Sequence, residues 1–226
     1  MMDQVNQKPK RPKSYGQFCA LARSLDVVGE RWTLLIVREL LPGSMRYTEL
    51  KTSLKGIATN LLAERLRTLE AHGVVERRLE GGGVAYALTP WGEELREPME
   101  TLGRWGAPLL ASGRGDDAFQ PRWLTLALPA LLRGATSSTP VELGIETDGF
   151  AMVLRIDEEG PSAFVRPDDI PETLLVAPPD VIVGLAAGAI SIEQAVATGG
   201  FQGDLRVLHI TFGNSAANAA PSTGRD

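Results

Sequence analysis

Residues 57–88, IATNLLAERLRTLEAHGVVERRLEGGGVAYAL, admit few folds. Leu62, Leu66 and Leu69 recur at i, i+4 and i+7, the spacing of one apolar stripe on a helix. At about 100° per residue the opposite side carries Asn60, Ala63, Glu64 and Arg67, which are small, polar or basic. Gly73, following His72, supplies the positive-φ residue that commonly ends a helix. Residues 74–79 and 84–88 then read as two strands joined across Gly81-Gly82-Gly83. Those glycines lie at a hairpin tip rather than before a helix, so they are not a phosphate cradle.

A helix followed by a hairpin is the layout of a winged helix-turn-helix, in which the helix enters the DNA major groove and the hairpin flanks it. The residues opposite the leucine stripe are of the kinds that read base edges or hold phosphates. The flanks fit this layout. Leu21, Leu25 and Val28 mark a first helix ending near Gly29. Residues 31–41, RWTLLIVRELL, are apolar around most of a helix, as a buried central helix should be, and Pro42-Gly43 stops it. Thr48 reads as the N-cap of a short helix ending near Leu54, with 55–57 as the turn before the second helix. Thr89-Pro90 opens a helix predicted to reach about Leu110. Its apolar face, Trp91, Leu95, Leu102, Trp105 and Leu109, is large enough to leave surface over for a partner subunit.

The formal net charge of −5 argues against a nucleic-acid binder only on average. Residues 1–113 hold 16 basic and 13 acidic side chains, a net of +3, and residues 114–226 a net of −8. All five lysines lie at or before Lys55. Such a split suggests two domains with different partners, of which only the first suits a polyanion. Residues 1–14 carry Lys8, Lys10, Arg11 and Lys13, and form either a solvated tail or an arm on the DNA backbone. The single cysteine excludes an internal disulfide framework and suits a reducing compartment. The N-terminus lacks the apolar core of a signal peptide, and no apolar run reaches the roughly 18 residues of a spanning helix. A cytoplasmic protein with no membrane partner is expected.

Residues 112–118 form a small, polar, glycine-containing linker. Beyond it, 119–213 read as a small α+β domain. A helix bent at Pro129 leads into two strands joined by Asp148-Gly149. Strands in PSAFVRP and ETLLVA follow, then helices in PPDVIVGLAAG and SIEQAVATGG. The second of these opens with the capping-box spacing of Ser191 and Gln194. DLRVLHITFG is expected to be a last strand, and 214–226 a disordered tail.

Catalytic chemistry has little support. His72, His209 and Cys19 make no metal-ligand cluster, and neither a nucleophile elbow nor a phosphate loop is present. The carboxylate runs 157–159 and 168–169 are flanked by Gly or Pro and read as solvated turns. No cofactor, no metal and no enzymatic activity are expected.

Four blocks, CALARSLDVVGERWTLLIVREL, MRYTELKTSLKGI, LLAERLRTLEAHGVVERR and VAYALTPWGEEL, resemble consecutive blocks of the HxlR family of bacterial winged-helix transcription regulators across 15–110. The resemblance implies a homodimer pairing through its first and last helices, which places Leu21, Leu25, Leu102, Trp105 and Leu109 at the subunit contact. It implies that helix 58–71 lies in the major groove of double-stranded DNA. Asn60, Ala63, Glu64 and Arg67 then face the bases, Thr59 is a further DNA contact, Arg65 meets a phosphate, and Arg46, Lys51 and Lys55 meet the backbone. Family members carry a longer wing with prolines and a basic tip. This chain has only glycines there, so Arg77 and Arg78 must supply the wing's phosphate contacts. Ala58 and Thr59 replace the family's Ser cap and Pro. An absent cap typically costs about 1 kcal/mol, so this end frays or Thr59 caps one residue later. Some members sense oxidants through a cysteine placed like Cys19, with Arg23 at i+4 to favour the thiolate; the alternative is an inert buried thiol.

The second domain resembles the sterol-carrier-protein-like α+β fold, which often encloses an apolar tunnel. Leu174, Val176, Ile182, Leu185, Ile190 and Phe201 either line such a pocket or are ordinary core. Being acidic, this domain suits ligand sensing or subunit contact better than DNA. The expectation is thus a dimeric DNA-binding regulator, either constitutive or controlled by a small apolar ligand in the second domain. The alternatives are a regulator that responds to oxidants through Cys19, and a carrier of small apolar molecules that uses the winged helix as a dimerisation scaffold.

Overall fold

A computed structural model describes residues 14–110, 115–165 and 169–213. The basic arm (but for Ser14), the tail 214–226 and part of the linker therefore lie outside the described residues. Two buried cores organise the rest.

The first core collects α1 (Ala20–Val28), α2 (Thr33–Leu40), β1 (Met45–Arg46), α3 (Tyr47–Ser53), α4 (Thr59–Ala71), β2 (Val75–Glu80), β3 (Gly83–Leu88), α5 (Pro90–Glu93) and α6 (Arg96–Gly106). Its centre is α2, whose Ile36, Val37 and Leu40 meet Leu50, Leu54 and the α4 stripe Leu62, Leu66 and Leu69. Three antiparallel strands, in the order β1-β3-β2, close one side. The hairpin turn is tighter than three glycines: Glu80 pairs with Gly83, leaving Gly81 and Gly82 as its two residues. Their φ values of 56° and 76° are those of a type I′ turn, which needs a left-handed residue at both positions and matches the twist of the strands.

Two helix boundaries differ from expectation. α3 begins before Thr48, because the Glu49 carboxylate accepts a hydrogen bond from the Arg46 N–H at 2.6 Å and holds the start of the helix there. The single helix expected over 90–110 is broken into α5, α6 and a 3₁₀ turn at Ala107–Leu110. Pro98 has no N–H for the Glu94 carbonyl, so the helix interrupts at Glu94–Leu95.

The second core is a two-layer α/β arrangement. After a 3₁₀ turn at Pro121–Trp123 come α7 (Leu124–Leu131), β4 (Val141–Thr147), β5 (Phe150–Asp157), β6 (Gly160–Phe164) and β7 (Leu174–Val176). α8 (Pro179–Ala186), α9 (Ile192–Thr198), β8 (Gly200–Gln202) and α10 (Leu205–Phe212) complete it. The sheet order is β6-β5-β4-β7-β8, with β7 parallel to β4 and the other pairs antiparallel. Asp148-Gly149 closes the β4–β5 hairpin with two positive φ values, as its sequence predicts. The expected last strand is instead the helix α10. Asp204 caps it by accepting from the Arg206 N–H at 2.9 Å, and Leu208, Thr211 and Phe212 are buried at helical spacing. The strand in this region is β8, just upstream.

The two cores share α7. Leu124 and Leu128 belong to the second, while Leu126 packs against the first. Pro129 leaves the Thr125 carbonyl without an intrahelical donor. The Arg96 guanidinium of α6 donates to that carbonyl at 3.4 Å and to the Leu41 carbonyl at 3.1 Å.

Candidate nucleic-acid interface

α4 is amphipathic in the sense needed for a reading helix. Burial of its leucine stripe turns Asn60, Glu64 and Arg67, spaced i, i+4 and i+7, outward as one exposed row, with Thr59 exposed and Ala63 half-buried beside them. Among the described residues Arg67 carries no ion pair. The start of α4 is not capped by a side chain: Ala58 occupies the cap, and Thr59 does not replace it. The turn is braced from α3 instead. The Tyr47 hydroxyl donates to the Thr59 carbonyl at 2.8 Å, and the Lys51 ammonium donates to the Ile57 carbonyl.

The basic candidates divide by their partners. Arg65 is drawn inward, with its side chain 12% exposed, donating to the Arg31 carbonyl and pairing with Glu30 at 3.0 Å and Glu64 at 3.2 Å. It ties α4 to the loop before α2, with three of the five guanidinium N–H donors engaged. Arg46 donates to the Gly81 carbonyl at 3.0 Å and so fastens β1 to the wing tip. Lys51 is committed to the turn, and Lys55 is exposed.

Adjacent strand residues face opposite ways, so Arg77 and Arg78 lie on opposite faces of the wing. Arg77 lies on the α4 side of the wing, bonded to Glu70 at 2.8 Å, and this bond together with the glutamate's charge raises its pKa. Arg78 pairs with Glu76 at 2.6 Å and borders a cavity of about 220 Å³ with Glu93 and Pro90. A hydrogen bond between Ser44 and Glu80 holds the far end of the hairpin. Leu79 remains exposed on the Arg77 face.

Away from α4, one chain leaves a run of apolar side chains in solvent. Leu21 and Leu25 on α1, Leu102 and Trp105 on α6, and Leu109 just beyond are all exposed, Trp105 to 77% and Leu109 to 76%. Phe18 and Leu110, which sequence reasoning did not single out, are exposed beside them in sequence. Cys19 is an exposed free thiol at the cap of α1. Its exposure removes the buried-thiol alternative for the single chain.

In the second domain the pocket candidates scatter. Ile182 and Leu185 are core, Ile190 and Phe201 pack against that core, Leu174 is half-buried, and Val176 is exposed on β7. None lines either the cavity beside Arg78 or a groove of about 360 Å³ between α3 and the start of the second domain. That groove is bordered by Met45, Thr48, Glu49, Thr52, Ser53, Gln120 and Arg122.

Beneath the groove lies a cluster that sequence reasoning missed. Glu39 of α2 is fully buried. Its carboxylate accepts from Arg38 at 2.7 Å, from the Trp123 indole N–H at 2.7 Å and from the Ser53 hydroxyl at 2.7 Å. The Arg122 guanidinium lies 3.8 Å from the same carboxylate and donates to the Glu39 carbonyl at 2.9 Å. Arg38 also stacks 3.8 Å over the Trp123 ring. Burial pulls the Arg122 pKa down, and the charge of Glu39 opposes that pull. A carboxylate between the apolar residues Val37 and Leu40 of the central helix, beside Arg38, was the available signal, since buried charges require partners.

Among the described residues no helix is long and apolar enough to cross a membrane. The sequence model for the HxlR-like helix-turn-helix matches residues 27–113. The HTH-type transcriptional regulator YvaP of Bacillus subtilis is 34% identical over 86 residues, covering 37% of this chain and 80% of its own. YtfH of Escherichia coli, of the same description, is 31% identical over 104 residues, covering 45% and 82%. A crystal structure of the HTH-type regulator ytcD is 32% identical, covering 41% of this chain and 97% of that one, with a TM-score of 0.39.

Proposed function

Because the chain belongs to the HxlR-like helix-turn-helix family and is a DNA-binding transcriptional regulator, we propose that it reads its operator as a homodimer through α4, under control of the second domain. The observation that carries this is the exposed row Asn60, Glu64 and Arg67 set against a fully buried leucine stripe. Arg67, with no ion pair among the described residues, is the base or phosphate contact that costs least to recruit. Thr59 and Ala63 flank the row, Lys55 approaches the backbone, and Arg77 is the wing's phosphate contact. Arg46, Lys51 and Arg65 position the helix and wing, and Arg78 lies on the far face.

Dimerisation through α1 and the end of α6 is supported by Leu21, Leu25, Leu102, Trp105 and Leu109, a larger exposed apolar set than a monomer normally keeps. Control by a small apolar ligand rests on the apolar second core itself, against which Ile190 and Phe201 pack half-buried. Ligand entry repacks α8, with Ile182 and Leu185, against α7 and α9.

Binding to DNA upstream of the chain's own gene, across a salt series, tests the reading. Specific binding whose affinity falls steeply with salt is expected, and equal affinity for random DNA sinks it. Light scattering is expected to give a two-chain mass that Trp105→Ala with Leu109→Ala reduces to one.

A further inference from the structure

We propose that Glu39 is the joint through which the second domain sets the geometry of the DNA-reading unit, an inference that rests on the reading of α4 as the DNA-contacting helix. Three separate stretches converge on it: its own helix α2, the last residue of α3, and the 3₁₀ turn that opens the second domain. Ser53 is the key placement. It ends α3 immediately before the 54–58 turn that aims α4, and its hydroxyl is fixed by the same carboxylate that holds Trp123. A second link runs in parallel, since the Gln120 side-chain amide donates to the Ser53 carbonyl at 3.1 Å.

Energetics make the joint stiff. A buried carboxylate stripped of a donor is strongly unfavourable, so Glu39 resists any motion that separates Trp123 from Ser53. The indole N–H and the Ser53 hydroxyl bond different oxygens of one carboxylate, so a displacement of the Pro121–Trp123 turn rotates or shifts the group that anchors α3. Leu126 in the first core and the Arg96 bridge prevent the second domain from swinging free. The second domain therefore acts on α3 and α4 as a rigid lever, and whatever repacks its core changes operator affinity.

The test uses the full chain. Trp123→Phe keeps an aromatic ring under Arg38 and deletes the N–H donor together with the pyrrole ring that carries it. Amide hydrogen exchange across 47–58 is expected to quicken about tenfold in this variant, as loss of a hydrogen bond to a charged group predicts. Specific DNA affinity is expected to fall several-fold at fixed salt. Leu154→Ala, a change deep in the second core, is expected to quicken the same amides without touching any DNA contact. Arg67→Ala is expected to weaken DNA binding and leave exchange across 47–58 unchanged. Exchange at the wild-type rate across 47–58 in both Trp123→Phe and Leu154→Ala overturns the proposal, even if Leu154→Ala unfolds its own domain. Loosened α3 with wild-type DNA affinity overturns it too. If the unaltered protein binds no specific DNA, the regulator reading fails, and the exchange data still decide the joint.

Discussion

Replacing Arg77 by Ala separates a phosphate contact from a structural brace. Its guanidinium stands exposed on the α4 side of the wing and is held by Glu70 at 2.8 Å. Contact with one phosphate of duplex DNA adds about 0.9 to the slope of log affinity against log salt. Between 50 and 200 mM salt, a fourfold change, one such contact is worth about 3.5-fold in affinity. Arg77→Ala is therefore expected to flatten the slope by about 0.9, so that its penalty is about 3.5-fold greater at the lower salt. Glu70→Gln removes the competing charge while keeping the side chain's length, and is expected to strengthen binding most at low salt. Fluorescence anisotropy with a labelled upstream fragment over four salt concentrations measures both. A penalty for Arg77→Ala that is the same factor at every salt refutes the reasoning, because it shows a residue that only braces the wing.

Thr89 accepts from the Gly92 N–H at 3.1 Å as the cap of α5 and donates to the Gly73 carbonyl at 2.6 Å. Thr89→Ala is expected to cost about 2 kcal/mol in urea unfolding, whereas Thr89→Ser stays near the parent. Burial raises the Glu100 pKa against the pull of Arg96 and Arg104. The folded chain thus keeps this proton at a pH where the unfolded chain has lost it. That contribution is full below the ordinary carboxylate value and lost as pH rises through the folded one, so Glu100→Gln is expected to be more stable than the parent at pH 7 but not at pH 4. Diamide, which accepts two electrons as two thiols join, is expected to link two chains through Cys19 on a non-reducing gel. Absence of that band, or its persistence in Cys19→Ser, removes the oxidant-sensing alternative.

The winged half was readable because its signals are local. A leucine stripe with an outward polar row, a glycine exit and a run of three glycines each carry their own geometry within a few residues, though only pairing shows that the turn uses two of the three. The breaks were also local but were hidden by continuity: the apolar face of 90–110 spans Pro98, and only its missing N–H divides it. In 204–213 the mix of Val, Ile and Thr favoured a strand, and the Asp204 cap decided otherwise. The joint at Glu39 was the least legible feature, since its partners Arg122 and Trp123 lie 83 and 84 residues away. The same holds for the charged candidates. Sequence placed Arg65 and Arg67 on one helix, but only the fold shows that Glu30 and the Arg31 carbonyl take the first and leave the second outside.

Joining a second domain to a regulator is ordinarily a reversible step in a gene's history, because the seam is a polar linker and either half survives a cut. At α7 that freedom has been lost. Cutting the gene at the linker would remove Leu126 from a core it helps to fill, and would leave Glu39 facing a void where an indole and a guanidinium had been. Descendants of this chain can lengthen, decorate or retune the second domain far more readily than they can discard it.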